Sequence, residues 1–222
     1  MELILRKLGL QDYHKTWASM QKVILSKVQG DSDGLWLLEH FPVYTLGFGA
    51  SENILLIKND IPVIRSDRGG EATYHGPGQI VAYFLINLRR KGWGPKRFVN
   101  ELESSVMDFL KDYGVSSKRQ QGNPGVYIGN KKICSVGLTI KRGYSYHGLI
   151  INIDMDLSPF ESINICGKQS LKATDLNEFA EVPIEKAYKD FEKTVKARFE
   201  GGMDTRIRSF LLRPLMNTAL YQ

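Results

Sequence analysis

A single α+β domain, with a mixed and largely antiparallel sheet covered by helices, is the fold class the sequence predicts. Three observations predict it. Runs rich in β-branched and aromatic residues, such as QIVAYFLINL and KKICSVGLTIK, recur between turn signals. Two long segments instead carry apolar residues at three- and four-residue steps. No repeat, linker or low-complexity stretch divides the 222 residues, of which 42% are hydrophobic.

Taken in order, LILRKLG reads as a short strand, and Tyr13, Trp17, Met20, Ile24 and Val28 then form one face of a helix. GLWLLEHFPVYTLG gives two short strands around Phe41 and Pro42, closed by the turn Gly47-Phe48-Gly49. IPVIRS and QIVAYFLINL are strands joined by the loop RGGEATYHGPGQ. A second helix runs from Pro95, with Phe98, Leu102, Val106, Phe109 and Leu110 on its stripe and Gly114 at its end. GVYIG, KKICSVGLTIK and YSYHGLIINIDMDL are strands separated by Gly129-Asn130 and Arg142-Gly143. A last helix starts at Pro183 and buries Ile184, Ala187, Tyr188, Phe191 and Val195. Residues 1–222 are read as one domain, with the tail from about 205 unassigned.

Lys plus Arg number 30 against 24 Asp plus Glu, a formal charge of +6 that suits an acidic partner. The basic clusters are short and lack an aromatic-interleaved stripe, so no nucleic-acid partner is expected. MELILRKLGL has no leader pattern and no apolar run reaches membrane-span length, so no membrane association is expected and the cytoplasm is the expected location. Two cysteines are too few for a disulfide framework, and the four scattered histidines show no ligand spacing, so no metal is expected. GFGASE and GPGQIV lack the third glycine of a dinucleotide fingerprint, and CGKQS lacks the features of a phosphate loop.

Two features remain for chemistry. RGGEATYHGPGQ spends twelve residues where a hairpin turn needs two to five, and it carries Arg68, Thr73, Tyr74 and His75 among four glycines. It reads as a binding loop. The second feature is a thiol. Cys166 stands at the end of a short apolar run before Gly167; Cys134 stands mid-strand, on the face that alternation gives to Lys132 and Val136. The residues by themselves leave both cysteines open.

RGGEATYHGPGQIVAYFLINL resembles the signature of the lipoyl(octanoyl) transferases, and LLEHFPVYTLG, GNKKICSVGLTIKRGYSYHGLIINIDMDLSPF and INICG resemble that family in its order. The resemblance covers most of residues 30 to 170. It implies the fold of the biotin and lipoate ligases and an enzyme that moves an octanoyl or lipoyl group from acyl carrier protein to a lysine of a lipoyl domain. Those acceptors would be the lipoyl domains of 2-oxoacid dehydrogenases and the glycine cleavage H protein. No cofactor is implied. Residue by residue, the acyl-thioester cysteine falls on Cys166 and its activating lysine on Lys132. The acyl-binding segments fall on Arg68, Gly69, Gly70, Glu71, Ala72, Thr73, Tyr74 and His75, on Ser135, Val136 and Gly137, and on Gly148, Leu149 and Ile150. Oxyanion donors are expected near Gly76 to Gly78 or around Gly137, with His75 as wall or orienting group or else as a structural histidine, and His147 packing or hydrogen-bonding within its strand rather than performing chemistry. An ATP-dependent lipoate ligase of the same fold and a cysteine hydrolase are the alternatives.

Overall fold

The computed structural model describes residues 3–28, 30–50, 60–164 and 171–200. A seven-stranded sheet forms the body. In chain order its strands are β1 (Leu3–Gln11), β2 (Asp33–His40), β6 (Gln79–Leu85), β7 (Lys118–Arg119), β8 (Gly125–Ile128), β9 (Lys131–Lys141) and β10 (Tyr144–Asn152). They lie side by side as β1-β2-β6-β10-β9-β8-β7, and only the β1–β2 pair is parallel. A smaller sheet, β4-β3-β5, is built from β3 (Val43–Leu46), β4 (Val63–Arg65) and β5 (Ala72–His75).

The central strands read as unbroken apolar runs because both sheet faces are covered. Side chains alternate between faces along a strand. Leu35, Leu37, Ile80, Ala82, Phe84, Leu149 and Ile151 therefore enter one core with α3 (Pro95–Asp112) and α4 (Ile184–Phe199). Trp36, Leu38, Val81, Tyr83, Leu85 and Ile150 enter the other, against Met20 and Ile24 of α1 (Tyr13–Ser26). The Asp12 carboxylate accepts from Lys15 N at 2.8 Å and so caps α1. Pro95 opens α3 and Gly114, at φ +74°, closes it. Pro183 precedes α4. No helix among the described residues is long and apolar enough to cross a membrane.

Two expectations need correction. RGGEATYHGPGQ is more than a connection, since its Ala72–His75 is β5 and pairs antiparallel with β3. Alternation along β9 also fails. Val126 faces Cys134 but Tyr127 faces Lys132, so Ile133 is an extra residue, a bulge that sends both Ile133 and Cys134 into the main core. The unassigned tail lies outside the described residues.

Candidate active site

A groove of about 440 Å³ runs beside β9, between the Arg68–Thr73 segment and the first turn of α3. Three segments far apart in sequence meet in its wall: Arg68 to Thr73 with His75, Ser135 to Gly137, and Gly148 to Ile150. Tyr74 is the exception among the expected binding residues. Its ring packs away from the groove, in the small core with Tyr44 and Phe160.

The segments meet because β8 pairs with β9 only as far as Ser135. Beyond that point the loop takes its place, and Gly69 N donates to Leu138 O at 2.9 Å. Such an approach needs glycine on both sides: a Cβ on Gly137 would lie 2.9 Å from Gly69 O. The loop is folded around the buried Arg68 guanidinium, which donates to Thr45 O, Thr45 Oγ1, Gly69 O and Glu71 O at 2.5–3.0 Å. Arg68 is thus the anchor of the loop.

A cluster of buried rings forms the groove floor. Tyr13 stacks on His75 at 5.6 Å and Tyr83 meets His147 edge-on at 5.8 Å. Behind them His40 Nε2 lies 2.7 Å from the Tyr83 hydroxyl. Hydrogen bonding sets the His75 tautomer. The Gln79 side-chain amide donates to Tyr74 O and Asn152 Oδ1, so its Oε1 accepts from His75 Nδ1 at 3.0 Å. Nε2 then accepts from Thr45 Oγ1, whose lone pairs serve Arg68. Burial holds the His75 pKa well below that of free imidazole, and burial also brings His40 down to about 4. Both rings are neutral supports.

His147 packs within β10 against Tyr83 and Tyr146, but its side-chain hydrogen bond leaves the strand. Its backbone is left-handed, φ +60°, and its bond runs out of the strand to Asp67 Oδ1, 2.8 Å from Nε2. Burial raises the Asp67 pKa, but hydrogen bonds from His147, Tyr146 and Gln21 outweigh it and hold the carboxyl at about 2. An ionised carboxylate only accepts, so Nε2 carries the ring proton and the buried Nδ1, which has no partner among the described residues, keeps its lone pair.

Lys132 also lines the groove and is 5% exposed. Its ammonium lies 5.6 Å from the centre of the Tyr127 ring, and Gly125 leaves room for it, since a Cβ there would come within 2.6 Å of Lys132 Cε. Its backbone pairs with the chain that leaves the Cys166 segment: Lys132 N donates to Lys172 O at 2.8 Å and Thr174 N to Lys132 O at 3.1 Å. Cys166 and Gly167 lie outside the described residues. Cys134 is 1% exposed, and burial pushes its thiol up to about 12 despite the Lys132 charge. It is a core side chain.

Of the expected oxyanion donors, Gly137 lines the groove whereas Gly76 and Gly78 do not. Gly78 N is committed to Glu39 Oε2 at 2.6 Å. Sequence reasoning missed Tyr13, Tyr83 and Asp67. The two tyrosines sit at apolar-pattern positions of a helix and a strand and give no signal of a site.

The lipoyl protein ligase A/B catalytic domain model matches residues 12–200. An octanoyltransferase of Vibrio atlanticus is 50% identical over 177 residues, 80% of this chain and 81% of its own. The chain belongs to the octanoyltransferases. That of Thiobacillus denitrificans is 48% identical over 172 residues, 78% of this chain and 79% of its own. This octanoyltransferase is therefore an acyltransferase of the lipoylation enzymes. Solved structures show the same fold. A lipoate-protein ligase A bound with ATP superposes with a TM-score of 0.77 at 16% identity, covering 90% of this chain and 86% of its own. The biotin protein ligase of Aquifex aeolicus does so at 0.52 and 14%, covering 90% of this chain and 71% of its own.

Proposed function

We propose that this octanoyltransferase moves an octanoyl or lipoyl group from acyl carrier protein to a lysine of a lipoyl domain through a thioester on Cys166. The acceptors are the lipoyl domains of 2-oxoacid dehydrogenases and the glycine cleavage H protein, and the enzyme works in the cytoplasm. A solved relative in fold, from Thermoplasma acidophilum, is a bipartite lipoate protein ligase described with its E2 lipoyl domain. The strongest support is the groove itself, apolar along Ala72, Val136, Leu149 and Ile150, with the buried ammonium of Lys132 in its wall.

An ammonium close to a thiol favours the thiolate. The Cys166 thiolate attacks the thioester carbonyl of the donor, and the tetrahedral oxyanion collapses with loss of the carrier thiolate, which takes a proton from Lys132. A thioester has replaced a thioester, so this half reaction is close to thermoneutral. The acceptor lysine then gives a proton to neutral Lys132, and its amine attacks the acyl-enzyme. The tetrahedral adduct's nitrogen gives its second proton to solvent, Cys166 leaves as thiolate beside the restored ammonium, and amide formation drives the sequence. Arg68 to Thr73, Ser135 to Gly137 and Gly148 to Ile150 hold the acyl chain, with His75 as a fixed wall.

Octanoylated carrier protein and a lipoyl domain, mixed with the enzyme in chelator and without nucleotide, are expected to give an octanoyl amide on the domain's lysine, read by mass spectrometry. Amide formation only from free octanoate with ATP would instead establish a ligase.

A further inference from the structure

Asp67 stands directly before Arg68, at the start of the groove loop, and its carboxylate is saturated by side chains from α1 and β10. Oδ1 accepts from Trp17 Nε1 at 2.9 Å and from His147 Nε2 at 2.8 Å, while Oδ2 accepts from Gln21 Nε2 at 3.1 Å and from the Tyr146 hydroxyl at 2.5 Å. Four donors fill the lone-pair sites of a carboxylate. The Asp67 carbonyl accepts as well, from Thr139 Oγ1 at 2.5 Å. One residue thus ties the loop to α1, β9 and β10.

His147 reaches this junction through an unusual backbone. Alternation along β10 sends Leu149 and Ile151 to the core with α3, and Tyr146 and Ile150 to the core with α1, so His147 belongs with Leu149. Its φ of +60° turns the ring back instead, and the ring stacks on Tyr146 at 5.0 Å with both side chains on Asp67. A left-handed histidine inside a strand is strained, and such strain persists only where the surroundings hold it. The bond to Asp67 is such a hold.

Strand register shows where the junction lies. On the face toward α1 the β9–β10 pairs run Ser135–Ile150, Gly137–Gly148 and Thr139–Tyr146, leading away from Lys132. The first two pairs line the groove, and the third is the one bonded to Asp67. An acyl chain whose thioester lies by Lys132 passes along the glycine pair and points its methyl end at this junction.

We propose that Asp67 is a positioning residue that sets the length of acyl chain transferred: through His147 and Tyr146 it fixes the wall at which the methyl end stops. The inference rests on the transfer reaction proposed above. Without the carboxylate, His147 relaxes to an ordinary strand conformation and turns its ring to the other face, which lengthens the groove. Octanoyl then loses contacts, and longer chains gain room.

The test uses Asp67→Ala together with Asp67→Asn, which keeps the volume and one acceptor oxygen and carries the test if the alanine protein does not fold. Acylation is measured with octanoyl and with dodecanoyl carrier protein, over concentrations that separate KM from kcat. The unsubstituted protein is expected to favour octanoyl. In Asp67→Ala, KM for the octanoyl donor is expected to rise about tenfold with kcat within about threefold, and the preference for octanoyl over dodecanoyl to fall about tenfold or more, with Asp67→Asn intermediate. A merely structural loss would lower both donors alike and leave the preference unchanged. Equal loss with both donors, a loss confined to kcat, or an unsubstituted protein that takes both donors equally overturns the proposal. Failure of the unsubstituted protein to be acylated at all would instead overturn the transfer reaction.

Discussion

Burial accounts for one of the two thiols. A thiol at about 12 is protonated throughout the neutral range, so Cys134 is expected to resist alkylation in the native protein and to react only after denaturation. Cys134→Ala is expected to keep transfer and to cost about 1–2 kcal/mol in a urea titration, as a small core truncation does. Cys166→Ser is expected to keep the circular dichroism of the parent and lose transfer; an active serine variant would remove Cys166 from the mechanism. Lys132→Ala is expected to slow both half reactions, while Lys132→Arg restores thiolate formation without restoring the base, since a guanidinium keeps its proton. Alkylation of Cys166 against pH, run beside amide formation, separates these roles, and parent-rate amide formation by the arginine variant would refute the base. The choice between Cys134 and Cys166 was not legible in the residues alone, because thiol reactivity depends on surroundings that a strand pattern does not display. Resemblance made it. The structure then accounts for Cys134, through a bulge at Ile133 that no alternation rule foresees.

At the scale of elements, the glycines of the groove wall make graded predictions. A Cβ on Gly148 would lie 2.0 Å from Ala82 O, inside the β6–β10 pair at the centre of the sheet. Gly148→Ala is therefore expected to destabilise by several kcal/mol or to prevent folding, read by the thermal midpoint. A Cβ on Gly137 meets Gly69 O at 2.9 Å, in a loop docked on the strand edge rather than inside a strand pair. Gly137→Ala is expected to cost less stability than Gly148→Ala and to raise KM for the acyl donor. The reverse order would mean that the loop is not held by this contact. Most elements were legible because their patterns are local: Asp12 before α1, Pro95 and Gly114 around α3, Pro183 before α4. β5 was hidden because ATYH is four residues between glycine pairs and pairs with β3, a partner some thirty residues away. The resemblance put Tyr74 among the acyl-binding residues, whereas in β5 its side chain belongs to the small core.

For the whole molecule, the buried ring cluster ties stability to pH. Burial lowers the folded pKa values of His40, His75 and His147, and His40 falls to about 4 from an ordinary 6.5. Between those values the unfolded chain binds the proton and the folded one does not. Stability is therefore fully present above about pH 6.5 and is lost as pH falls through 4, on the order of 3 kcal/mol for His40 alone. Asp67, held at about 2, adds a loss in the same direction at lower pH. Urea midpoints are expected to fall from pH 7.5 to 5, less steeply in His40→Gln, and a midpoint that rises over that range would contradict the buried, neutral cluster. The net charge of +6 suits an acidic partner, and the charge count alone places it nowhere on the surface. The central claim, a covalent acyl-enzyme, is tested most directly by mass. Purified protein is mixed with octanoyl carrier protein in chelator without nucleotide, quenched in acid and digested. An added octanoyl mass is expected on the Cys166 peptide, absent from the Cys134 peptide, and discharged when a lipoyl domain is supplied. An unmodified Cys166 peptide under conditions that do yield octanoylated lipoyl domain would contradict the account.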